Sequence, residues 1–419
     1  MSAFSALAES GMAHEVYYST KMNNLIQSTP ITYNTRLTQN FTSLGAGSSS
    51  FLIPANAGLK CPVLVFGYDA GALAAQTGVN ALPAGWGYRA LANVSFRVGG
   101  SQQLFMSGAQ LLARNLRLCK TKSQRDALFQ LGGSAVSSLA SFAKRQLAYI
   151  PITAWADPSV DSLGPPLASD LLNSQTQVTI QLNDPSLFWA VNPAGPAVPL
   201  PSAFSKGYFA LEQHEFMDRS QSMAFRTDMA DSTYIQRLNS YDQQELKGSI
   251  AQGVAGVQNV TFAGIMAGGV RALQIWLTDD ADPANSGRMI APDGVNVVYA
   301  GQRYSVYQDG AAAIFNLIDS TSPNYVDMPL LVPATAPAIG WVSSPSKSEW
   351  VMAPFGTPLG SDMEATLTVR GLQITNGSIT LEIVAPAGGV VGETYTVHLV
   401  PVFTAAIAFS RGSANILIG

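Results

Sequence analysis

Charge is the first thing this sequence is short of. Asp, Glu, Lys and Arg make up 12% of its 419 residues, about half the usual share. The net charge is −4 and no run of Lys or Arg occurs, which excludes direct wrapping of nucleic acid. Cysteine is nearly absent. Cys61 and Cys119 provide neither a disulfide framework nor zinc spacing, and both read as buried thiols. Only three histidines occur: His14, His214 and His398. The stretch His214-Glu215-Phe216-Met217-Asp218 begins like half of a zinc-protease helix, but the second histidine and the third ligand are missing. His398 is expected to point outward from a strand. No Gly-x-Ser-x-Gly elbow, phosphate loop or Gly-x-Gly-x-x-Gly turn is found, so no catalytic residue, cofactor site or metal ligand is expected and the chain does not read as an enzyme. No window reaches about 18 uninterrupted apolar residues, so no transmembrane helix is expected. The first residues lack the basic and apolar regions of a secretory signal. Without one, the sequons at Asn40, Asn93, Asn259 and Asn376 read as chance.

What is present is short, alternating and apolar. Hydrophobic residues reach 47%, and 37 Gly and 24 Pro punctuate the chain. So little charge on so apolar a chain suits a protein that hides much of its surface in an assembly. A neutral, Ser/Thr/Gln-rich β-protein is the alternative. Length suits two domains of roughly 200 residues. Period-two alternation marks strands at Val94/Phe96/Val98, Val178/Ile180/Leu182, Val260/Phe262, Leu273/Ile275/Leu277, Ile379/Leu381/Ile383 and Tyr395/Val397/Leu399, with a separate apolar strand at Ala405 to Phe409. Helix formers at 3.6-residue spacing mark 109–118, 123–131 and 136–143, and a short helix is expected around Ala311 to Ile318. Many short strands between Gly/Pro turns argue for sandwiches or jelly rolls over α/β folds.

Two stretches echo one another across half the chain. Asn93-Val94-Ser95-Phe96-Arg97-Val98-Gly99-Gly100-Ser101-Gln102 and Asn296-Val297-Val298-Tyr299-Ala300-Gly301-Gln302-Arg303-Tyr304 are both alternating strands that run into glycine and a polar turn. They predict one β-domain built twice, with Gly99 and Gly301 in comparable turns. Two further features have bland readings as well as functional ones. Asp279, Asp280 and Asp282 cluster the carboxylates that Ca²⁺ prefers, but off the EF-hand spacing, so a solvated loop is the simpler reading. Trp86, Trp189, Trp341 and Trp350 sit near loops, where they would form a sugar platform or anchor loops and subunit contacts.

Four pieces, in order and spacing, resemble the double jelly-roll major capsid proteins of the tectivirus, corticovirus and large eukaryotic DNA virus lineage. They are Val94 to Gly100 before a helix-rich insertion, Phe209 to Phe225 with Asp218-Arg219, Phe262 through Val270-Arg271-Ala272-Leu273-Gln274-Ile275-Trp276, and Asn296 to Tyr304. The resemblance implies an all-β fold of two consecutive eight-stranded jelly rolls with short helical insertions. It implies an N-terminal arm over 1–27, a first roll over 28–224 and a second over 225–419. It also implies a homotrimer with six rolls in a pseudo-hexagonal capsomer that meets neighbouring capsomers, penton and minor capsid proteins in an icosahedral virion. The long loops 67–87, 184–205 and 322–362 would form towers or clasps, and the arm would face an internal membrane. A β-sandwich carbohydrate-binding or adhesin module is the alternative function.

Overall fold

The computed structural model describes residues 33–55, 58–59, 62–72, 85–98, 102–118, 127–128, 130–134, 144–153, 171–184, 201–215, 234–279, 289–307, 351–355, 371–375 and 377–418. Its first half contains β1 (Tyr33–Asn40), β2 (Gly47–Ile53), β3 (Gly58–Leu59), β4 (Val63–Tyr68), α1 (Trp86–Ala90), β5 (Leu91–Val98), β6 (Gln102–Met106), α2 (Gly108–Leu118), β7 (Gln146–Pro151), β8 (Thr176–Leu182) and β9 (Lys206–Glu215). The second half contains β10 (Tyr234–Asp242), β11 (Leu246–Ala251), β12 (Val257–Ala263), β13 (Gly268–Thr278), β14 (Gly294–Tyr299), β15 (Gln302–Tyr307), β16 (Val351–Pro354), β17 (Leu372–Ile374), β18 (Ser378–Val384), β19 (Thr394–Ser410) and β20 (Ser413–Ile418).

Pairing turns these strands into two copies of one sandwich. The first has sheets ordered β1-β9-β4-β7 and β2-β8-β5-β6. The second repeats both orders, as β10-β19-β13-β16 and β12-β18-β14-β15, with β11 extending β10's role along β19. Every described pairing is antiparallel; β1 lies beside β9, and β10 beside β19, so that each half brings its opening strand next to one of its closing strands, as in a jelly roll. The echoing stretches therefore occupy the same place: β5 and β14 are each third in their sheet, and each turns into an edge strand. Tyr299 pairs with Gln302 across Ala300 and Gly301, whose φ values of 50° and 77° are those of a two-residue type I′ turn. Its counterpart leaves three residues between Val98 and Gln102, and Gly99 itself lies outside the described residues.

Alternation fills the cores as expected. In the first roll Val94, Phe96, Val178, Ile180 and Leu182 face inward, while Arg97 and Gln181 are exposed. Phe51 of β2 stacks on Phe209 of β9 at 4.7 Å and 9°, tying one sheet to the other. Burying each such side chain is worth about 1.5–3 kcal/mol, and the ring pair adds about 0.5–1.5 kcal/mol. Two expectations need correction. The separate strands at 395–399 and 405–409 are one strand of 17 residues, because Pro401 sits within the ladder opposite Leu273 without ending it. β20 is an added hairpin strand, paired with the far half of β19 through the turn at Arg411 and Gly412. The helices expected at 136–143 and 311–318 lie outside the described residues, as do the N-terminal arm, most of the three long loops and residues 216–233.

A candidate assembly seam between the rolls

The helix α2 follows β6 and holds the two rolls together. Ser107 caps it by accepting the backbone N–H of Gln110 at 3.1 Å. An ordinary surface helix buries one stripe, but over residues 110–116 α2 is buried all round: Leu111, Leu112, Ala113 and Leu116 are joined in the interior by Gln110, Arg114 and Asn115. Gly108 starts it where no side chain fits. A Cβ there would lie 1.9 Å from the Tyr88 carbonyl oxygen.

Each polar side chain of α2 has a specific task. Asn115 faces its own roll and donates to Tyr88 Oη and to the Pro151 carbonyl, both at 2.9 Å. Arg114 spans the seam. Its Nε donates to the Thr153 carbonyl at 2.9 Å in the first roll, and its Nη1 reaches Ser240 Oγ at 2.8 Å and Asp242 Oδ1 at 3.0 Å in the second. Both side chains of this ion pair are almost fully buried, at 2% and 1% exposure. Gln110 donates to the Gln243 carbonyl at 2.7 Å and accepts the Glu245 N–H at 3.1 Å, a two-way bond that fixes the register between rolls. A second tether lies at the end of the added hairpin, where Asn173 N–H donates to the Gly412 carbonyl at 2.8 Å.

The second roll meets this helix with a sheet buried on both faces. On β13, Leu273, Ile275 and Leu277 face their own core, while Ala272 and Trp276 join the hydrophobic cluster that is continuous with the first roll. Gln274, between them, donates to the Ala113 carbonyl of α2 at 3.5 Å. On β19, Val400 and Val402 belong to the same shared cluster. This explains the correction at His398. It is buried, not outward, because the outer face of its sheet is covered by the other roll. Its ring stacks on Trp276 at 5.1 Å and 5°, its Nε2 lies 2.9 Å from Thr278 Oγ1, and its Nδ1 lies 3.4 Å from Glu245 Oε2.

Glu245 titrates abnormally here. Burial by itself raises its pKa, but hydrogen bonding to His398, the charges of His398 and Lys247, and a hydrogen bond from Ser107 together hold it below the usual carboxylate value. A carboxylate with a depressed folded pKa stabilises the fold fully above its unfolded pKa and stops doing so as pH falls through the folded one. Stability is thus expected to fall on acidification below about 4.5, the unfolded value. In Glu245→Gln that part of the acid limb should flatten. Urea unfolding across pH 3 to 7 measures it, and an unchanged limb would remove Glu245 from the seam's acid response.

The other sequence candidates do not converge on a site. His214 lies in β9, opposite Asn34, so the zinc-helix reading fails on secondary structure. Trp86 is a core residue, 4% exposed and 6.0 Å from Phe204, which removes it from any sugar platform. Asp279, the residue after β13, is half-buried, with Oδ1 out of contact with solvent and without a hydrogen-bond partner. Asn40 and Asn259 are exposed on strands, and Asn93 donates to Gln181 at 2.7 Å. His14, Cys61, Cys119, Trp189, Asp280, Asp282, Trp341, Trp350 and Asn376 lie outside the described residues. Among the described residues no helix is long and apolar enough to cross a membrane. Sequence reasoning missed Arg114, Gln110, Asp242 and Gln243. The signal available was Gln110 and Arg114, one helical turn apart in a helix otherwise flanked by leucines.

No protein-family model matches the chain, and no curated protein is similar to it in sequence. Solved structures are similar in fold. PBCV-1 VP54, fitted into a reconstruction of the virophage Sputnik, superposes with a TM-score of 0.58 at 12% identity, over 92% of this chain and 98% of the other. The PBCV-1 virus capsid model matches at 0.54 and 11% identity, over 92% and 98%. The Sputnik virophage structure matches at 0.52 and 12% identity, over 92% and 88%. The chain has the double jelly-roll fold of these viral capsid structures.

Proposed function

We propose that this protein is a major capsid protein, whose copies trimerise into pseudo-hexagonal capsomers that tile an icosahedral virus shell. One observation carries the reading: two matching jelly rolls are joined side by side through a helix that is buried over residues 110–116, so that one chain supplies two near-equivalent sides of a six-sided block. The low charge of the chain fits surfaces covered by neighbouring copies. The likeness in fold to the PBCV-1 capsid supports the same reading. On it, the chain is a structural protein and not an enzyme, it resides in the virion, and the division between rolls falls within 216–233, between β9 and β10. The arm of residues 1–27 would then face the particle interior, toward any internal membrane, and penton and minor capsid proteins would meet the capsomer edges. The carbohydrate-binding alternative has lost Trp86 and gains nothing from the structural likenesses.

The test is mass and shape. Light scattering of the purified chain at micromolar concentration should give three times the monomer mass, and electron microscopy should show pseudo-hexagonal particles. Monomers alone would overturn the reading.

A further inference from the structure

Surface turns normally carry Asn, Asp or Ser beside their glycines, because those side chains bond water and the nearby backbone. Two connections at one end of the second roll do not. The β11–β12 turn and the residue that opens β12 read Gly253-Val254-Ala255-Gly256-Val257. The β18–β19 connection begins Ala385-Pro386-Ala387-Gly388-Gly389-Val390-Val391-Gly392. Neither stretch contains a polar side chain. Val254 is 48% exposed, Val257 54%, Val390 57% and Val391 81%. The matching turn of the first roll, between β1 and β2, holds Thr42 and Ser43 instead, whose backbone N–H groups donate to Ser49 Oγ at 3.0 and 3.1 Å.

The two apolar connections form one body, stapled by the buried side chain of Gln252. Its backbone N–H donates to the Glu393 carbonyl at 2.8 Å and its Nε2 to the Thr394 carbonyl at 3.2 Å. Its Oε1 accepts the Val390 N–H at 3.0 Å, and the Val390 carbonyl accepts the Glu393 N–H at 3.2 Å. A Cβ on Gly253 would lie 2.8 Å from Val391 Cγ2, so the two turns touch at their tips. Both backbone polar groups of Val390 are therefore bonded within the tip. That is the condition for backbone to leave water for hydrocarbon, where nothing replaces a missing partner.

We propose that this tip inserts its valines into the surface of a lipid bilayer with neutral headgroups. The tip contains none of the Trp, Tyr or Arg anchors on which contacts between proteins rely. Four apolar side chains also fall far short of the roughly 20–30 residues a side that a lasting contact between copies takes. Aliphatic side chains on a projecting, internally bonded turn suit hydrocarbon, into which they carry no unpaired polar group. Carboxylates stand at the base of the tip. Asp293 Oδ2 accepts the Ala387 N–H at 3.2 Å, and Glu393 closes the connection, so anionic headgroups are repelled and neutral ones are not. The matching turn of the first roll follows β1 at the end away from the arm. Lipid is therefore met outside the particle, and that sidedness alone rests on the capsid reading.

Flotation of the full-length chain with phosphatidylcholine vesicles is the test. The wild type should float with the vesicles, and adding phosphatidylserine to them should lower the bound fraction. Val390→Asp with Val391→Asp should reduce binding about tenfold or more, since two carboxylates would have to enter the apolar layer. Leu52→Asp, 50% exposed on the first roll, should leave binding unchanged. Urea midpoints equal to that of the wild type establish that the variants are folded, and Val254→Asp replaces the double variant if it is not. A wild type that does not float, that floats only with phosphatidylserine, or that floats no better than the double variant would overturn the proposal. Association of copies without vesicles, abolished by the same two substitutions, would overturn it in favour of a contact between copies. Loss of flotation leaves the trimer mass untouched, so this proposal and the capsid reading fail separately.

Discussion

Arg114→Ala should cost about 3–5 kcal/mol of stability, because it leaves the Asp242 carboxylate buried and without its cation. The Asp242 side chain is 1% exposed, so water cannot replace the lost partner without opening the seam. Removal of the guanidinium also releases the Thr153 carbonyl and Ser240 Oγ from their bonds. Against a typical total of about 5–15 kcal/mol, this is a large fraction of the fold's margin. Urea unfolding of the purified variant measures it. Replacing both partners, as Arg114→Met with Asp242→Leu, should recover most of the loss, since an apolar pair of similar volume avoids the desolvation of two charges. A single variant within about 1 kcal/mol of wild type would mean that Asp242 has another route to solvent or to a cation.

Trp276→Ala is expected to cost a comparable amount, about 3–5 kcal/mol. The tryptophan is fully buried, yet it projects from the side of β13 opposite the second roll's own core. On a jelly roll standing alone that side would face water, and truncation there would stay within about 0.5 kcal/mol. The size of the effect therefore reports whether the rolls remain docked in solution. Truncation also removes the ring on which His398 stacks. Trp276→Phe should lose less, because the smaller ring fills part of the space and removes an indole N–H that has no hydrogen-bond partner. Thermal unfolding of the two variants separates the cases.

Period-two alternation made most of the sandwich legible, since a strand with one face in the core writes that face into its sequence. Val178, Ile180 and Leu182 against Gln181 is a clear instance. The duplication was legible for the same reason, because β5 and β14 have one neighbourhood and so one pattern. Alternation fails where both faces are buried. Along β19 from Val397 to Phe403, polar His398 and apolar Val400 share a face that another roll covers, and no local rule separates that face from a solvated one. The seam was illegible for a second reason. Arg114 and Asp242 are 128 positions apart, and an arginine in a leucine-rich helix reads equally well as an exposed residue. The strand β20 escaped because Ser413 to Ile418 alternates weakly and is only half-buried over its last three residues.

The placement of α2 bears on the order of events during synthesis. Gln110 and its partner Gln243 are separated by 133 positions, so the helix is made long before the residues that satisfy it. Until β10 and the residues up to Glu245 have emerged, the first roll holds a buried-type arginine and glutamine with no second-roll partners. The first half therefore stands incomplete on the ribosome for about 7–27 seconds at elongation rates of about 5–20 residues per second. Such long-range closure slows folding and lengthens exposure of apolar surface. A chain built this way becomes ready for its neighbours only when its second half is complete, so that half-made copies lack a finished side to offer a growing shell.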